Sequence, residues 1–479
     1  MNRVIVLEFN ELCPSLMERF IDDGALPNFE RLRAESLLFT TDAEEPRPNL
    51  EPWILWVNVH TGVSQAEHGV FNLGEARLVA HESMWDPFLR AGGTVWICGS
   101  MNATCREPIR GAILPDPWST DGVAHPGELA DFYRFVRTYV QEHTNTAVPL
   151  TTSDYLRFLR FVASHGLAPR SIGLILRQLM AERFGGDRWR RATLLDRLQW
   201  DVFRWYYRQL RPDLATFFLN STAHYQHKFW RNMEPELFSV KPGPEEASKQ
   251  HAIRFGYEQM DGIVGEVLEL AAPDTTIVLC TALSQQPYLL AEASGGKRFY
   301  RPGSFDTFVS TLQLGGVRGV APVMSEQFHI FFSGEPEAIT AEAQLGRMML
   351  DGRRVMYCRR TGHDLFVGCT IFDAIPAEAR VEFDGRSIPF FDLFYQADSV
   401  KSGMHHPDGM LWIRTPARSH AVVSEKVPLR SVAPTILRIG GVPIPRSMQA
   451  PPVPIDGAEE RTRPGYPPLL LEGPRSSAP

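Results

Sequence analysis

Short apolar runs alternate along this chain with longer segments whose apolar residues recur at helical spacing. The short runs are rich in β-branched and aromatic residues, a pattern typical of strands that are buried on both faces of a parallel sheet. Such strands are predicted at residues 4–7, 94–98, 215–219 and 276–280, and a last one at 410–414. Helices are predicted near residues 13–21, 251–270 and 433–439. This alternation predicts an α/β fold around a large, mainly parallel sheet.

Two segments depart from the alternation. One shows only long helical spacing, which predicts a helical insertion, and the other mixes short strands with a helix, which predicts a small α+β subdomain. At 479 residues the chain exceeds the roughly 250–300 residues that one hydrophobic core organises, so a core with insertions is expected. The predicted division is core at 1–126, 212–304 and 386–450, helical insertion at 127–211, subdomain at 305–385, and a flexible Pro-rich tail at 451–479.

Composition narrows the range of partners. A net charge of -7 and a pI near 6.1 give no general attraction to nucleic acid or to an anionic membrane, so neither is an expected partner. No apolar run approaches the roughly 18 residues of a membrane helix, and the first residues lack the apolar core of a signal peptide. A cytoplasmic protein is therefore expected. The six cysteines are scattered without a C-x-x-C pair, as reduced core thiols are.

Two histidines, His224 and His227, follow the strand predicted at residues 215–219. Ligands of open α/β sheets bind at the carboxyl ends of the strands, so this pair lies where a metal or phosphate site is expected. The loop predicted at residues 8–11, after the first strand, places two carboxylates and an amide at the same edge. Polar loop residues or helix caps are the alternative interpretation of such a histidine pair.

Six motifs occur along the chain in a fixed order. They are V-I-V-L-x-x-N from Val4 with L-P-N-F-x-R-L from Leu26, W-V-N-V-H-T-G from Trp56 with H-G-V-F from His68, R-G-A-I-L-P from Arg110, Q-H-K-F-W from Gln226, G-M-H-H-P-D-G from Gly403, and A-P-T-I-L from Ala433 with G-G-V-P-I-P from Gly440. Together they resemble the alkaline phosphatase superfamily, in particular its type I phosphodiesterase/nucleotide pyrophosphatase branch. The resemblance implies an alkaline phosphatase-like α/β/α sandwich.

The resemblance also implies a chemistry. Members of that superfamily typically hold two zinc-like ions and use a Thr or Ser nucleophile, because two cations about 3.5–4 Å apart stabilise the attacking and leaving oxygens of an in-line displacement. Here several expected groups are replaced: the first Asp ligand by Asn10, the nucleophile by Glu51 or Pro52, the Asp of D-x-x-Q-H by Ala223, and the Asp and His of a later loop by Ala282 and Leu283. Only His227 and His405 match ligand positions, so one metal site is expected to be lost.

The first hypothesis is a single-metal hydrolase of phosphate, phosphodiester or sulfate esters. One divalent ion, zinc or manganese, would bind His227, His405 and a third ligand, because such sites usually take three protein ligands. The candidates for that third ligand are His224, His406 and the carboxylates of Glu11 and Glu51. Glu51 or Glu11 would act as general base on the attacking water. The expected substrate contacts are Asn10 and His406.

The competing hypothesis is a catalytically inactive pseudoenzyme that uses the hydrolase fold to bind a ligand or a protein. Apolar residues at former ligand positions favour it, because they cannot hold a charged centre. A third possibility is a transferase in which Glu51 replaces the nucleophile. The sequence leaves open whether the protein is an active enzyme.

Overall fold

The computed structural model describes residues 1–75, 79–119, 122–144, 150–185, 187–290, 292, 296–323, 325–397 and 400–455. Its strands are β1 (Val4–Phe9), β2 (Leu37–Asp42), β3 (Val95–Cys98), β4 (Gly111–Leu114), β5 (Leu214–Leu219), β6 (Thr276–Cys280), β7 (Ser284–Pro287), β8 (Tyr300–Pro302), β9 (Val317–Pro322), β10 (Gln327–Phe332), β11 (Met349–Leu350), β12 (Arg353–Arg354), β13 (Met356–Thr361), β14 (Asp364–Cys369), β15 (Arg380–Phe383), β16 (Arg386–Pro389), β17 (Phe394–Gln396), β18 (Gly403–His406), β19 (Asp408–Arg414), β20 (Ala421–Val422) and β21 (Val427–Pro428). Its helices are α1 (Pro14–Asp22), α2 (Pro27–Ala34), α3 (Pro52–Thr61), α4 (Gln65–His68), α5 (Asp86–Arg90), α6 (Ala130–Thr144), α7 (Thr152–Ser164), α8 (Pro169–Arg183), α9 (Ala192–Leu210), α10 (Ser221–Met233), α11 (Ala252–Leu270), α12 (Phe305–Thr311), α13 (Glu335–Leu345), α14 (Phe390–Leu393) and α15 (Val432–Gly440). Of the predicted tail, residues 456–479 lie outside this described part.

The central sheet contains nine strands in the order β20-β2-β19-β6-β1-β5-β3-β4, with β21 also paired to β2. Strand β1 pairs in parallel with β5 and β6, and β3 pairs in parallel with β4 and β5. Strand β19 is the exception in the middle of the sheet, since it runs antiparallel to both β2 and β6. The prediction of an α/β fold around a large, mainly parallel sheet is confirmed.

Strand β1 is buried on both faces because its side chains alternate between two apolar layers. Ile5, Leu7 and Phe9 pack with residues of α1, α2, α10 and α11. Val4 and Val6 pack on the opposite side with residues of α3, α5 and α15. Helices therefore cover both faces of the sheet, which gives the three layers of an α/β/α sandwich.

Helices α6 to α9 lie between β4 and β5, in the segment predicted as helical, and cover the first of these faces. The rings of Phe132 and Phe158 stack at 5.6 Å between α6 and α7. Trp200 of α9 meets Phe217 of β5 edge-on at 5.3 Å, which fixes the segment to the sheet. Among the helices of the described residues, none combines the length and the apolar character needed to cross a membrane.

A smaller unit with its own apolar cluster is inserted between β6 and β19. It contains two antiparallel sheets, of order β13-β14-β10-β9 and β12-β11-β15-β16, and its cluster draws on residues from Tyr300 to Phe394, a wider range than the predicted 305–385. The two connections to the core run side by side, because β7 pairs with β18 and β8 pairs with β17. We call these paired connections the strap.

Candidate metal centre

The ends of β1 and β5 bring two polar segments together at the carboxyl edge of the sheet. The parallel register pairs Phe9 with Leu219, and the backbone N–H of Asn10 donates to the carbonyl of Leu219 at 2.9 Å. Glu11 follows Asn10, and helix α10 begins at Ser221, two residues after β5 ends. The edge where the sequence predicts a site therefore carries polar residues from both strands.

Three side chains converge at this edge. Oε2 of Glu11 lies 3.0 Å from Nε2 of His227 and 3.4 Å from Nε2 of His405. The potential ligand atoms of these three residues all lie within 4.8 Å of one another. Glu11 and His405 are buried and His227 is half-buried, so the cluster lies at the base of the edge with limited access to water. This is the kind of N, N, O donor set that binds zinc or manganese.

His227 is held by strand β18 of the strap. Its Nδ1–H donates to the carbonyl of Gly403 at 2.9 Å, and the amide of Ser402 donates to the carbonyl of His227 at 2.8 Å. The close approach requires glycine, since a Cβ at position 403 would lie 2.4 Å from the carbonyl oxygen of Gln226. The bond to Gly403 orients the ring so that Nε2 faces Glu11 and His405.

Glu11 is held by a set of buried hydrogen bonds. Asn10 Nδ2 donates to Oε1 of Glu11 at 2.9 Å, and Gln285 Nε2 donates to Oε2. Gln226 Nε2 donates to the backbone carbonyl of Glu11 at 2.6 Å, and the hydroxyl of Tyr257 donates to Oε1 of Gln226 at 2.7 Å. These bonds fix a residue whose backbone has a left-handed φ of 60°, a conformation that costs free energy for any residue with a Cβ.

The protonation states suit metal binding. Burial raises the pKa of Glu11, but the charges of His405 and His227 outweigh that effect and hold the pKa well below its usual range. Burial lowers the pKa of His227, and the charge of Lys401 lowers it further, against the opposing effect of Glu11. At neutral pH the carboxylate is therefore ionised, which is the form that binds metals, and burial favours the neutral, metal-binding form of His227 over the charged one.

A cation fits between these groups. With its Nδ1 proton donated to Gly403, a neutral His227 directs the Nε2 lone pair at the carboxylate of Glu11, only 3.0 Å away. That contact is repulsive unless a proton or a cation lies between the two atoms. Because burial disfavours the extra proton, a metal ion meets the requirement with the ligand types that zinc and manganese use.

Comparisons with known proteins find a structural likeness but no match at the level of the sequence. No protein-family model matches the sequence, and no curated protein matches it either. The chain is similar in structure to phosphonoacetate hydrolase. The match to that protein from Sinorhizobium meliloti 1021, in complex with phosphonoacetate, has a TM-score of 0.41 and 13% sequence identity, and covers 92% of this chain and 96% of the other. A second structure of it, with phosphonoformate, gives a TM-score of 0.40 at the same identity and coverage.

At 13% identity the likeness to phosphonoacetate hydrolase concerns the fold alone. The chemistry of this chain is therefore inferred from its own side chains.

Glu51, the predicted general base, lies beside the cluster. It precedes helix α3, and its Oε2 is 3.5 Å from Nδ1 of His405. Its side chain is 29% exposed, in contrast to the 2% of Glu11. The two predicted bases therefore differ in position: Glu11 is buried against both histidines, whereas the side chain of Glu51 has access to solvent.

The other predicted site residues lie around the cluster instead of in it. His224 is exposed on α10, one helical turn before His227, and Glu11 takes the third position among the converging ligands. His406 points to the other face of β18, where its Nδ1 accepts from the amide of Asp408 at 3.2 Å. Asn10 is buried, Trp56 Nε1 donates to its Oδ1 at 2.8 Å, and its own Nδ2 donates to Glu11.

Glu8 is part of strand β1, although the sequence predicts it in the following loop. It is fully buried on the α3 side of the sheet, 3.0 Å from Nε2 of His60, and accepts from the hydroxyl of Ser100 at 2.6 Å. Glu8 and His60 therefore form a separate internal pair. The negative charge at the sheet edge comes from Glu11 and Glu51 without Glu8.

The positions that correspond to the expected second metal are apolar in the structure as well as in the sequence. Ala282 and Leu283 are completely buried in the layer that contains α3. Ala223, at a position that the resemblance assigns to the retained metal, is also buried and offers no ligand atom. A cavity for a second ion would need polar ligands where the protein has close-packed hydrocarbon.

Sequence reasoning missed the residues that hold the site. Gln285 reaches Glu11 because β7 and β18 pair with Gln285 opposite His405, and this register has no signature in the spacing of the residues. Tyr257 lies on α11 inside an ordinary apolar helix pattern. The available signal was indirect: a glutamine directly before His227 and another in the predicted loop after β6.

Proposed function

We propose that Glu11, His227 and His405 bind one divalent metal ion, zinc or manganese, and that the protein hydrolyses an ester of phosphate, phosphodiester or sulfate type. The observation that carries this proposal is the convergence of one carboxylate and two imidazoles within 4.8 Å at the carboxyl edge of the sheet. A site of three protein ligands leaves a coordination position for substrate or water, as catalytic zinc sites do. A bound ion would supply Lewis-acid stabilisation of the negative charge on the ester oxygens.

Glu51 is the side chain that we assign to proton transfer. It lies next to His405, and unlike Glu11 its side chain has access to solvent. It would accept a proton from a water that attacks the phosphorus or sulfur atom. The new bond joins the water oxygen to that atom, the bond to the leaving alcohol breaks, and the proton passes to the alcohol. No hydroxyl group stands at position 51 or 52, so direct attack by water replaces a covalent intermediate.

A second candidate is binding without turnover. The close-packed side chains of Ala282 and Leu283 favour it, because they offer no ligand atoms for the second cation of a two-cation mechanism. In that case the three ligands would hold a metal, or a metal and an anion, as part of a binding module. The two candidates share the metal and differ in the role of Glu51.

Elemental analysis of the full chain, purified without affinity-column nickel, tests the shared part. We expect about one equivalent of zinc or manganese in the wild type and in His251→Ala, which changes an exposed histidine, and none in His227→Ala. A wild-type chain that holds no metal and takes up none on titration would falsify the proposal.

The metal-loaded chain is then assayed with phosphate monoesters, phosphodiesters and sulfate esters. Hydrolysis that falls about 10²–10⁴-fold in Glu51→Gln, with the metal content unchanged, supports the hydrolase. A chain that keeps its metal and hydrolyses none of these esters supports the binding module.

A further inference from the structure

Two lysines face each other across the strap. Lys297 and Lys401 form an antiparallel bridge in which the amide of Lys401 donates to the carbonyl of Lys297 at 3.0 Å. Directly opposed residues of an antiparallel pair project their side chains to the same side. The centroid of the Phe299 ring lies 5.1 Å from Nζ of Lys297 and 5.8 Å from Nζ of Lys401, so both ammonium groups lie near one ring, and Nζ of Lys297 lies 4.2 Å from the centroid of a second ring, that of Phe372.

These lysines are next to the candidate metal centre. Lys401 directly precedes Ser402, whose amide and hydroxyl both donate to the carbonyl of His227 at 2.8 and 3.2 Å. The next residue, Gly403, accepts from the ring of His227. A ligand held at His227 and His405 would therefore extend toward Lys401 along the same face of the strap.

In the described part of the chain, the ammonium groups of Lys297 and Lys401 have aromatic neighbours but no close ionic partner. Among the residues that the structure describes, neither has a carboxylate oxygen within 4.0 Å or a hydrogen-bond acceptor. Glu51 and Glu326 act on Lys297 only at longer range. Burial, and after it the charge of Lys401, lowers the pKa of Lys297. Two half-buried like charges side by side are unfavourable unless an anion joins them.

The choice of lysine is also unusual for this chain. Of its 49 basic residues only six are lysine, and two of these six form the bridge. Lysine presents a compact point charge on a flexible stem, whereas arginine presents a planar fork. A pair of point charges can close around an anion of variable shape, as phosphate-binding lysines do.

We propose that Lys297 and Lys401 bind a second anionic group of the substrate, a carboxylate or a phosphate, while its ester group is held at Glu11, His227 and His405. The substrate class is then a phosphate or sulfate ester whose alcohol part carries a further negative charge. This inference rests on the proposed function for the ester end, but the anion site at the strap exists independently of the metal.

Calorimetric titration of the full chain with pyrophosphate, malonate and inorganic phosphate, with and without zinc, tests the site. Pyrophosphate and malonate carry two anionic groups and distinguish a phosphate from a carboxylate at the strap. One of these two anions should bind the zinc-loaded wild type more tightly than the other. We expect the affinity for that anion to be about 10-fold weaker in zinc-loaded Lys297→Gln or Lys401→Gln than in the wild type, the effect of one lost charged hydrogen bond. Inorganic phosphate can contact the metal centre or the lysines but not both, so its affinity should fall less in these variants.

Two controls keep the result interpretable. Lys249→Gln removes a lysine that pairs with Glu246 away from the strap, and should bind like the wild type. Lys401→Arg keeps the positive charge. It should bind the anion more tightly than Lys401→Gln does if the loss in Lys401→Gln comes from the missing charge and not from a folding defect. Unchanged affinity in both glutamine variants, with zinc bound, overturns the lysine site and leaves the metal proposal standing. Lysine-dependent anion binding in a chain that takes up no zinc overturns the metal proposal and keeps the lysine site.

Discussion

Oε2 of Glu11 and Nε2 of His227 lie 3.0 Å apart, although one residue follows the first core strand and the other belongs to a helix in the middle of the chain. The contact exists because β1 and β5 are parallel neighbours whose register aligns their carboxyl ends. Strand β18 completes the group by bringing His405 to the same carboxylate. A one-residue change in any of these registers would separate the three ligands.

Replacement of Glu11 by glutamine should weaken metal binding while the fold persists. An amide keeps the shape of the side chain but is a neutral and poor ligand, so we expect zinc affinity to fall at least about 10-fold. Competition with a chromogenic chelator measures this. The exposed substitution Glu425→Gln is the matched control, and an unchanged affinity in Glu11→Gln would assign Glu11 a purely structural role.

Alanine at position 403 should push β18 away from α10. The added Cβ would lie 2.4 Å from the carbonyl oxygen of Gln226 and 2.4 Å from Oε1 of Gln285, and neither is free to retreat. We expect a loss of about 1–3 kcal/mol in the free energy of unfolding, together with loss of the metal. Gly173→Ala is the control, because nothing lies within 4 Å of the Cβ added on α8. Urea unfolding and metal content of the two variants check the prediction, which fails if they are equally stable.

The substitution Tyr257→Phe should weaken the hydrogen bonds that hold Glu11 in place, although Tyr257 does not contact the Glu11 side chain itself. The hydroxyl of Tyr257 accepts from the amide of Cys13 at 2.7 Å and donates to Gln226, which in turn holds the carbonyl of Glu11. Its removal leaves a buried N–H without a partner, at a cost of about 1–3 kcal/mol, and should lower zinc affinity about 10-fold. Tyr155→Phe, at an exposed position, should change neither quantity. A stable Tyr257→Phe protein with normal zinc affinity would show that Gln226 needs no support.

Glu326 should make the protein less stable as the pH rises toward and above neutrality. Burial, with a smaller effect of Glu51, raises the pKa of this carboxyl from 4.5 to about 7. Between these two values the folded chain binds a proton that the unfolded chain has released, so the free energy of unfolding falls with increasing pH, in total by up to about 3 kcal/mol.

Glu326→Gln removes this dependence. Relative to the wild type, the variant should gain stability at pH 8 and show little of that gain at pH 5, as urea unfolding at both values would reveal. Glu382→Gln, on the exposed face of β15, should leave the stability unchanged at both. A gain for Glu326→Gln that is larger at pH 5 than at pH 8 has the wrong sign and would refute the burial argument.

The sequence predicted the sheet well because its strands are short, apolar and bounded by polar turns. The runs at residues 4–7, 94–98, 215–219 and 276–280 became β1, β3, β5 and β6 with shifts of two residues or fewer at their ends. The prediction failed at Glu8, since a buried carboxylate inside a strand depends on partners such as His60 and Ser100 that come from distant segments.

The site was only partly readable from the sequence for the same reason. The sequence predicts His227 and His405 as ligands because each belongs to a motif with its own signature, and the structure brings both beside Glu11. Glu11 is one of several third ligands that the sequence offers. Its position beside the histidines depends on the left-handed turn after β1 and on the bonds of Asn10 and Gln285, none of which local spacing encodes. Lys297 and Lys401 were not predicted as a site because they are distant in sequence and become neighbours only through the pairing of the two connections.

The place of β19 in the sheet has a consequence for the biosynthesis of the protein. In the described part of the chain, β2 and its neighbours β20 and β21 are joined to the rest of the main sheet through β19, which lies between β2 and β6. A nascent chain on the ribosome therefore leaves both edges of β2 and one edge of β6 unpaired until residues 408–414 have emerged, and unpaired strand edges are prone to aggregation. His405 emerges just before that strand, so the proposed metal site would form only as the sheet closes, and a truncated translation product would keep Glu11 and His227 without His405.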